Sequence, residues 1–125
     1  MKKIRIVIAD DHPIFRQGLR QIIEAEPDLS VVAEAANGQI ALEEIRRHLP
    51  DVVVLDVQMP VLGGFGVAQQ LAGKERAGVV FLTMHSEAAM LDRAFEAGAK
   101  GYVLKDAALS EIVQAIRSVA AGRTF

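Results

Sequence analysis

The sequence predicts an α/β fold: one parallel sheet with helices packed on both of its faces. Two observations carry that prediction. Short apolar runs alternate with segments of helical period, five times over and with short connections. The run Val52–Leu55 is apolar at four consecutive positions, the pattern of a central strand buried on both faces.

Taken in order, the first strand is Ile4–Ala9. Pro13 opens the first helix, because the N–H it lacks would have no partner there. Phe15, Leu19, Ile22 and Ile23 form its inner face, and Pro27 ends it. Ser30–Ala33 is a short second strand near the sheet edge. Asn37 is the N-cap of a second helix, with Ala41, Leu42, Ile45 and Leu49 inward and Pro50 as its stop. The third strand is Asp51–Asp56. A loop over Pro60–Gly66 leads into a short third helix, roughly Phe65–Leu71. Val79–Thr83 is the fourth strand. Ser86 caps a fourth helix with Leu91, Ala94 and Phe95 inward, and Gly98 is a natural stop for it. Gly101–Leu104 is the fifth strand. Leu109, Ile112, Val113, Ile116 and Val119 mark the clearest amphipathic helix, ending near Gly122.

A chain of 125 residues, 51% of them hydrophobic, is enough for one domain with a real core. Its apolar stretches are far shorter than the ~20 residues a membrane span needs, and no signal peptide is expected. Cysteine is absent, which excludes thiol chemistry and fits a reducing cytoplasm. A net charge of −2 without a basic block argues against direct nucleic-acid binding by this segment.

Right-handed crossovers and the five-strand order 2-1-3-4-5 define a flavodoxin-like (βα)5 three-layer sandwich. That order sets the first strand beside the third, where ligands bind at the carboxyl ends of the strands. The ends gathered on that edge are Asp10-Asp11, Asp56, Thr83 and Lys105. Like charges ~4 Å apart repel by about 4 kcal/mol at an effective dielectric of ~20. Three crowded carboxylates therefore take up protons or a cation. Oxygen donors with water suit Mg²⁺. Lys105 adds a positive charge and Thr83 a hydroxyl. Charge neutralisation around an in-line nucleophile is what phosphoryl transfer requires. With no cysteine and no serine–histidine–acid arrangement, a carboxylate is the remaining nucleophile, and Asp56 is the best candidate.

At these residues the chain resembles a known family. Ala9-Asp10-Asp11-His12, Leu55-Asp56-Val57-Gln58-Met59-Pro60 with Gly64, Thr83, and Gly101-Tyr102-Val103-Leu104-Lys105 look like the receiver domain of two-component response regulators. The likeness covers nearly the whole chain, 1–125. The Ala-Asp-Asp-His-Pro start and the Gly-Tyr-Val-Leu-Lys-Asp segment look most like the NarL/LuxR-type subfamily, whose members usually carry a C-terminal helix-turn-helix output domain, absent from this chain. The resemblance implies that Asp56 accepts a phosphoryl group from a sensor histidine kinase. It implies Mg²⁺ held by Asp11, Asp56 and the backbone carbonyl of Gln58, with Asp10 acting through water. It implies that Lys105 pairs with the phosphoryl oxygens and that Thr83 and Tyr102 move with phosphorylation, altering the surface around the fourth helix and fifth strand. Gln58 and His85 would tune the lifetime of the acyl phosphate. The implied protein is a cytoplasmic signalling phosphoacceptor rather than an enzyme. It would be a monomer or weak dimer that can form a phosphorylation-dependent homodimer, and would reach DNA only through the output domain. Many receivers have proline after the lysine, with a cis peptide between them; here Asp106 stands there, which leaves that peptide cis or trans.

Other readings compete with this one. A Mg²⁺-dependent phosphatase of the haloacid-dehalogenase type also uses an aspartyl nucleophile, but needs a second acid two residues later, where Gln58 stands. A phosphorylation-independent interaction module would be expected to lose an acid or the lysine, and both are present. A flavodoxin-like cofactor binder needs phosphate loops rich in Ser and Thr. Gly63-Gly64-Phe65-Gly66 is not a dinucleotide fingerprint. His12, His48 and His85 lack metal-ligand spacing, with His12 and His85 candidates for the pocket border and His48 for an exposed helix end. Arg16, Arg20, Arg46 and Arg47 read as solvated helix faces. Asp51, about 16 Å from Asp56 along the strand, reads as surface.

Overall fold

The computed structural model describes residues 2–72, 76–84 and 88–125. The strands are β1 (Ile4–Ala9), β2 (Leu29–Ala35), β3 (Val52–Asp56), β4 (Gly78–Thr83) and β5 (Gly101–Leu104). The helices are α1 (Pro13–Glu24), α2 (Gly38–His48), α3 (Gly64–Leu71), α4 (Ala88–Glu96) and α5 (Ala108–Ala120). The strands form one parallel sheet in the order β2-β1-β3-β4-β5. No helix among the described residues is long and apolar enough to cross a membrane.

Side chains alternate across the sheet and build two cores. Ile6, Ile8, Val52, Val54, Val80 and Leu82 pack with Leu19 and Ile23 of α1 and with Ile112 and Ile116 of α5. Val7, Val53, Leu55 and Phe81 pack on the other face with Leu42 and Ile45 of α2 and Val67 of α3. Every residue of β3 is buried, as a strand covered on both faces requires. Register then aligns the chemistry. Ala9 pairs with Leu55, so Asp10 follows beside Asp56; Asp56 pairs with Leu82, and Thr83 pairs with Leu104, immediately before Lys105.

Helix ends follow the sequence closely. Pro13 begins α1. The Asn37 side chain accepts a hydrogen bond from the Ile40 N–H at 2.9 Å, a standard N-cap. Gly98, with φ of 97°, takes the left-handed conformation that ends α4. Arg117 of α5 ties to Asp28 and Glu26 ahead of β2, at 2.8 and 2.7 Å. Its hydrogen bond holds the Asp28 carboxyl below its usual range.

Several expectations are corrected. β2 runs over seven residues, because it pairs with β1 along its full length around an irregularity at Ile6/Val7. Leu49 points outward: it caps α2 in a left-handed conformation (φ 49°), and the following Pro50 disfavours continuing the helix. Leu91 and Phe95 are partly exposed, because α4 buries only Ala94 and leaves the larger neighbours at its flanks. Leu109 is also about half exposed, beside Gly18 of α1. A 3₁₀ turn over Lys105–Ala107 separates β5 from α5, and no cis peptide occurs among the described residues, so Lys105–Asp106 is trans. The expected cap Ser86 and the residue His85 lie outside the described residues.

Candidate functional site

The carboxyl ends of β1, β3, β4 and β5 converge on a pocket of about 240 Å³ lined by Asp11, His12, Asp56, Gln58, Thr83 and Lys105, among others. Asp10, Asp56 and Thr83 are the buried polar residues of the described chain, at 0, 4 and 2% exposure. They are buried because β1, β3 and β4 are central strands whose ends stay under the helices. A buried acid needs partners, and the pocket supplies them from different strands.

Lys105 Nζ donates to Asp56 Oδ2 at 2.8 Å and lies 3.1 Å from Asp10 Oδ2. Asp56 Oδ1 accepts the Gln58 N–H at 3.2 Å, which folds the loop after β3 back over the carboxylate. Asp10 Oδ1 accepts the His12 N–H at 2.7 Å. This is an Asx turn that aims the chain into α1. Burial pushes the Asp56 carboxyl up; the Lys105 hydrogen bond opposes this and the neighbouring Asp10 charge adds to it. Burial alone would lower the Lys105 amine, but hydrogen bonds to Asp56 and Asp10 leave it raised above 10.5.

The loop after β3 depends on a glycine. A Cβ at Gly64 would stand 2.5 Å from the Asp56 carbonyl oxygen and 3.1 Å from the Val57 Cα. Only a residue without a side chain lets α3 start that close, with its N–H donating to Val57 O at 2.9 Å.

Donor atoms of Asp10, Asp11, His12 and Asp56 all lie within 4.8 Å of one another. Asp11 Oδ1 is buried and accepts no hydrogen bond, and Asp10 Oδ2 has the Lys105 ammonium beside it at 3.1 Å. Crowded hard carboxylate oxygens with one ammonium to share are the chemistry a small divalent cation satisfies. A Mg²⁺ ion therefore fits this donor set.

Of the residues singled out from sequence, the structure brings Asp10, Asp11, Asp56, Gln58, Thr83 and Lys105 around one pocket. Tyr102 sits on the adjacent strand, partly buried against the α2–α3–α4 core. Asp51 lies at the opposite end of β3, exposed, where it accepts the Arg5 N–H at 2.8 Å. His48 is half-buried beside Glu44 at 3.1 Å rather than freely exposed. Arg16 is not a solvated residue. It is largely buried, donates to the Asp10 carbonyl oxygen at 2.5 Å, and pairs with Glu34 at 2.9 Å. The signal was an acid, Glu34, inside the strand that runs beside the start of α1.

A family model described as the response regulator receiver domain matches residues 6–117. "Probable transcriptional regulatory protein NarL" of Mycobacterium tuberculosis is 41% identical over 123 residues, 98% of this chain and 57% of that protein. "Response regulator UvrY" of Escherichia coli K12 is 37% identical over 123 residues, 98% of this chain and 56% of that one. The chain thus spans little more than half the length of these relatives. The solved signal receiver domain of NarL from Mycobacterium tuberculosis superposes with a TM-score of 0.94 at 40% identity, covering 98% of this chain and all of that one. A LuxR-family two-component response regulator from Aurantimonas gives 0.90 at 43%, covering 98% and 89%.

Proposed function

We propose, from the premise that this chain belongs to the response regulator receiver domain family and to its NarL/LuxR-type branch, that Asp56 is the phosphoacceptor of a signalling switch. The observation that carries this reading is the buried Asp56 carboxylate, held between the Asp10–Asp11 pair and the Lys105 ammonium. An Asp56 oxygen forms a bond to phosphorus as the phosphorus–nitrogen bond of a kinase phosphohistidine breaks. The imidazole keeps the electron pair and the chain keeps an acyl phosphate.

Asp11, Asp56 and the Gln58 carbonyl would hold Mg²⁺, with Asp10 acting through water. Bound there, the ion supplies charge neutralisation for the transferring group. Lys105 neutralises a phosphoryl oxygen from the opposite side. The Thr83 hydroxyl donates to another, and Tyr102 turns inward as Thr83 shifts. α4 is the element best suited to respond, because Ala94 alone is buried among its residues. Gln58 and His85 tune how fast water reaches the acyl phosphate. The domain works in the cytoplasm and takes its phosphoryl group from a sensor histidine kinase. It forms a homodimer when phosphorylated and controls transcription through a DNA-binding domain in the longer protein.

Acetyl phosphate with Mg²⁺ tests this reading. One phosphoryl group should be added, lost in mild base and absent in Asp56→Asn. Steady turnover of phosphate monoesters without labelling would instead favour an aspartyl phosphatase.

A further inference from the structure

The Lys105 side chain is almost shut off from water, at 9% exposure. Its Nζ donates to Asp56 Oδ2 at 2.8 Å and stands 3.1 Å from both Asp10 Oδ2 and His12 Nδ1. These are three polar atoms, as many as an ammonium has hydrogens. A fourth side is closed by carbon: the Phe15 ring presents its face to Nζ, with 5.0 Å between the nitrogen and the ring centroid. That is inside the ~6 Å over which an aromatic face attracts a cation, and the attraction strengthens where water is excluded. Phe15 belongs to α1 and packs, half-buried, against the core that α1 and α5 share with the sheet. A leucine would serve that packing; only a ring offers a face that draws the ammonium.

We propose, resting on Asp56 as the phosphoacceptor, that Phe15 is a positioning residue for phosphoryl transfer: its ring face keeps the Lys105 ammonium over the pocket while the ammonium changes its polar partner. Before transfer that partner is the Asp56 carboxylate. Once an Asp56 oxygen is bonded to phosphorus, negative charge lies further out, on the phosphoryl oxygens, and the ammonium follows it. The hydrogen bond to Asp56 is directional and does not survive that shift. The attraction of a ring face is broad and has no hydrogen bond to break, so it holds the ammonium on both sides of the step. Without the ring, the flexible four-carbon stem lets the ammonium swing away from the transferring group, and orientation is lost.

Rates of labelling by acetyl phosphate with Mg²⁺ test it, measured at a temperature where melting curves show every variant folded. Phe15→Leu keeps an apolar side chain and loses the ring; it should label about fivefold more slowly. Phe15→Met takes its place if the leucine variant does not fold. Phe15→Tyr restores a ring and should label within about twofold of the parent. In a Lys105→Met background Phe15→Leu should slow nothing further, since the ring then has no cation to hold. An unchanged rate in Phe15→Leu, equal slowing in Phe15→Tyr, or the same slowing in the Lys105→Met background would each overturn the inference and leave the phosphoacceptor reading standing. A parent chain that takes no label, or Asp56→Asn labelled at the parent's rate, would overturn both.

Discussion

Lys105 Nζ stands 2.8 Å from Asp56 Oδ2 and 3.1 Å from Asp10 Oδ2, so one ammonium bridges two buried carboxylates from neighbouring strands. The bridge offsets part of the repulsion that would otherwise push the acids apart. Lys105→Met leaves both acids buried without it. Breaking such a pair costs up to 3–5 kcal/mol when the remaining charge cannot escape. Here a proton can be taken up, so a loss of about 1–3 kcal/mol at pH 7 is expected. Urea unfolding in EDTA at pH 7 and pH 5 checks this; the loss should shrink at the lower pH.

The pH dependence has a definite sign. The Asp56 carboxyl is raised above 3.8 by burial, against the pull of Lys105. A raised folded-state value means that the native chain binds this proton more tightly than the unfolded chain does. The contribution is therefore full below about pH 4 and is lost as the pH rises through the folded value. Asp56→Asn removes it. The variant should gain stability over the parent as pH rises across that window, and be the more stable of the two at pH 7 without metal. Equal slopes would contradict the assignment.

Divalent binding should reverse the same penalty. With Mg²⁺ at a hundred times its dissociation constant, mass action stabilises the chain by about 2.7 kcal/mol. A rise in Tm that grows with Mg²⁺ and disappears in Asp11→Asn is the expected scan.

Gly64→Ala drives a Cβ towards the Asp56 carbonyl oxygen, 2.5 Å away, in a part of the backbone that cannot give without moving Asp56. A loss of about 1–3 kcal/mol is expected, together with weaker Mg²⁺ binding. Denaturant midpoints and the Mg²⁺ titration read the two effects separately.

Arg16→Gln removes the donor to the Asp10 carbonyl, the bond that fixes the acid-bearing turn from the α1 side. Glu34→Gln disturbs the same network but leaves that bond intact. Both variants should lower Tm, and Arg16→Gln alone should weaken Mg²⁺ binding, by about tenfold.

Much of this was legible before any coordinates. The run Val52–Leu55 announced a central strand, and the central strand fixed where Asp56 would be buried. The order of the strands then made the Asp10–Asp56 approach a matter of topology rather than of side-chain detail. What escaped the sequence depended on contacts between elements far apart in the chain. The Arg16 position has the polar spacing of a surface residue, and only the docking of α1 beside Glu34 of β2 buries it. Leu91 and Phe95 have the spacing of an inner face, yet α4 rests on the sheet through Ala94. Leu49 follows the apolar period of α2, but the proline after it turned the backbone. Local period cannot report how closely one element lies against the next.

In the proposed switch, one particular carboxylate takes the phosphoryl group. Reducing the acyl phosphate with borohydride after acetyl phosphate labelling, then mapping the peptides by mass, identifies the acid directly, because the labelled aspartate becomes homoserine. Conversion is expected at Asp56 alone, dependent on Mg²⁺. Conversion at Asp10 or Asp11, or none at any acid of the pocket, would contradict it.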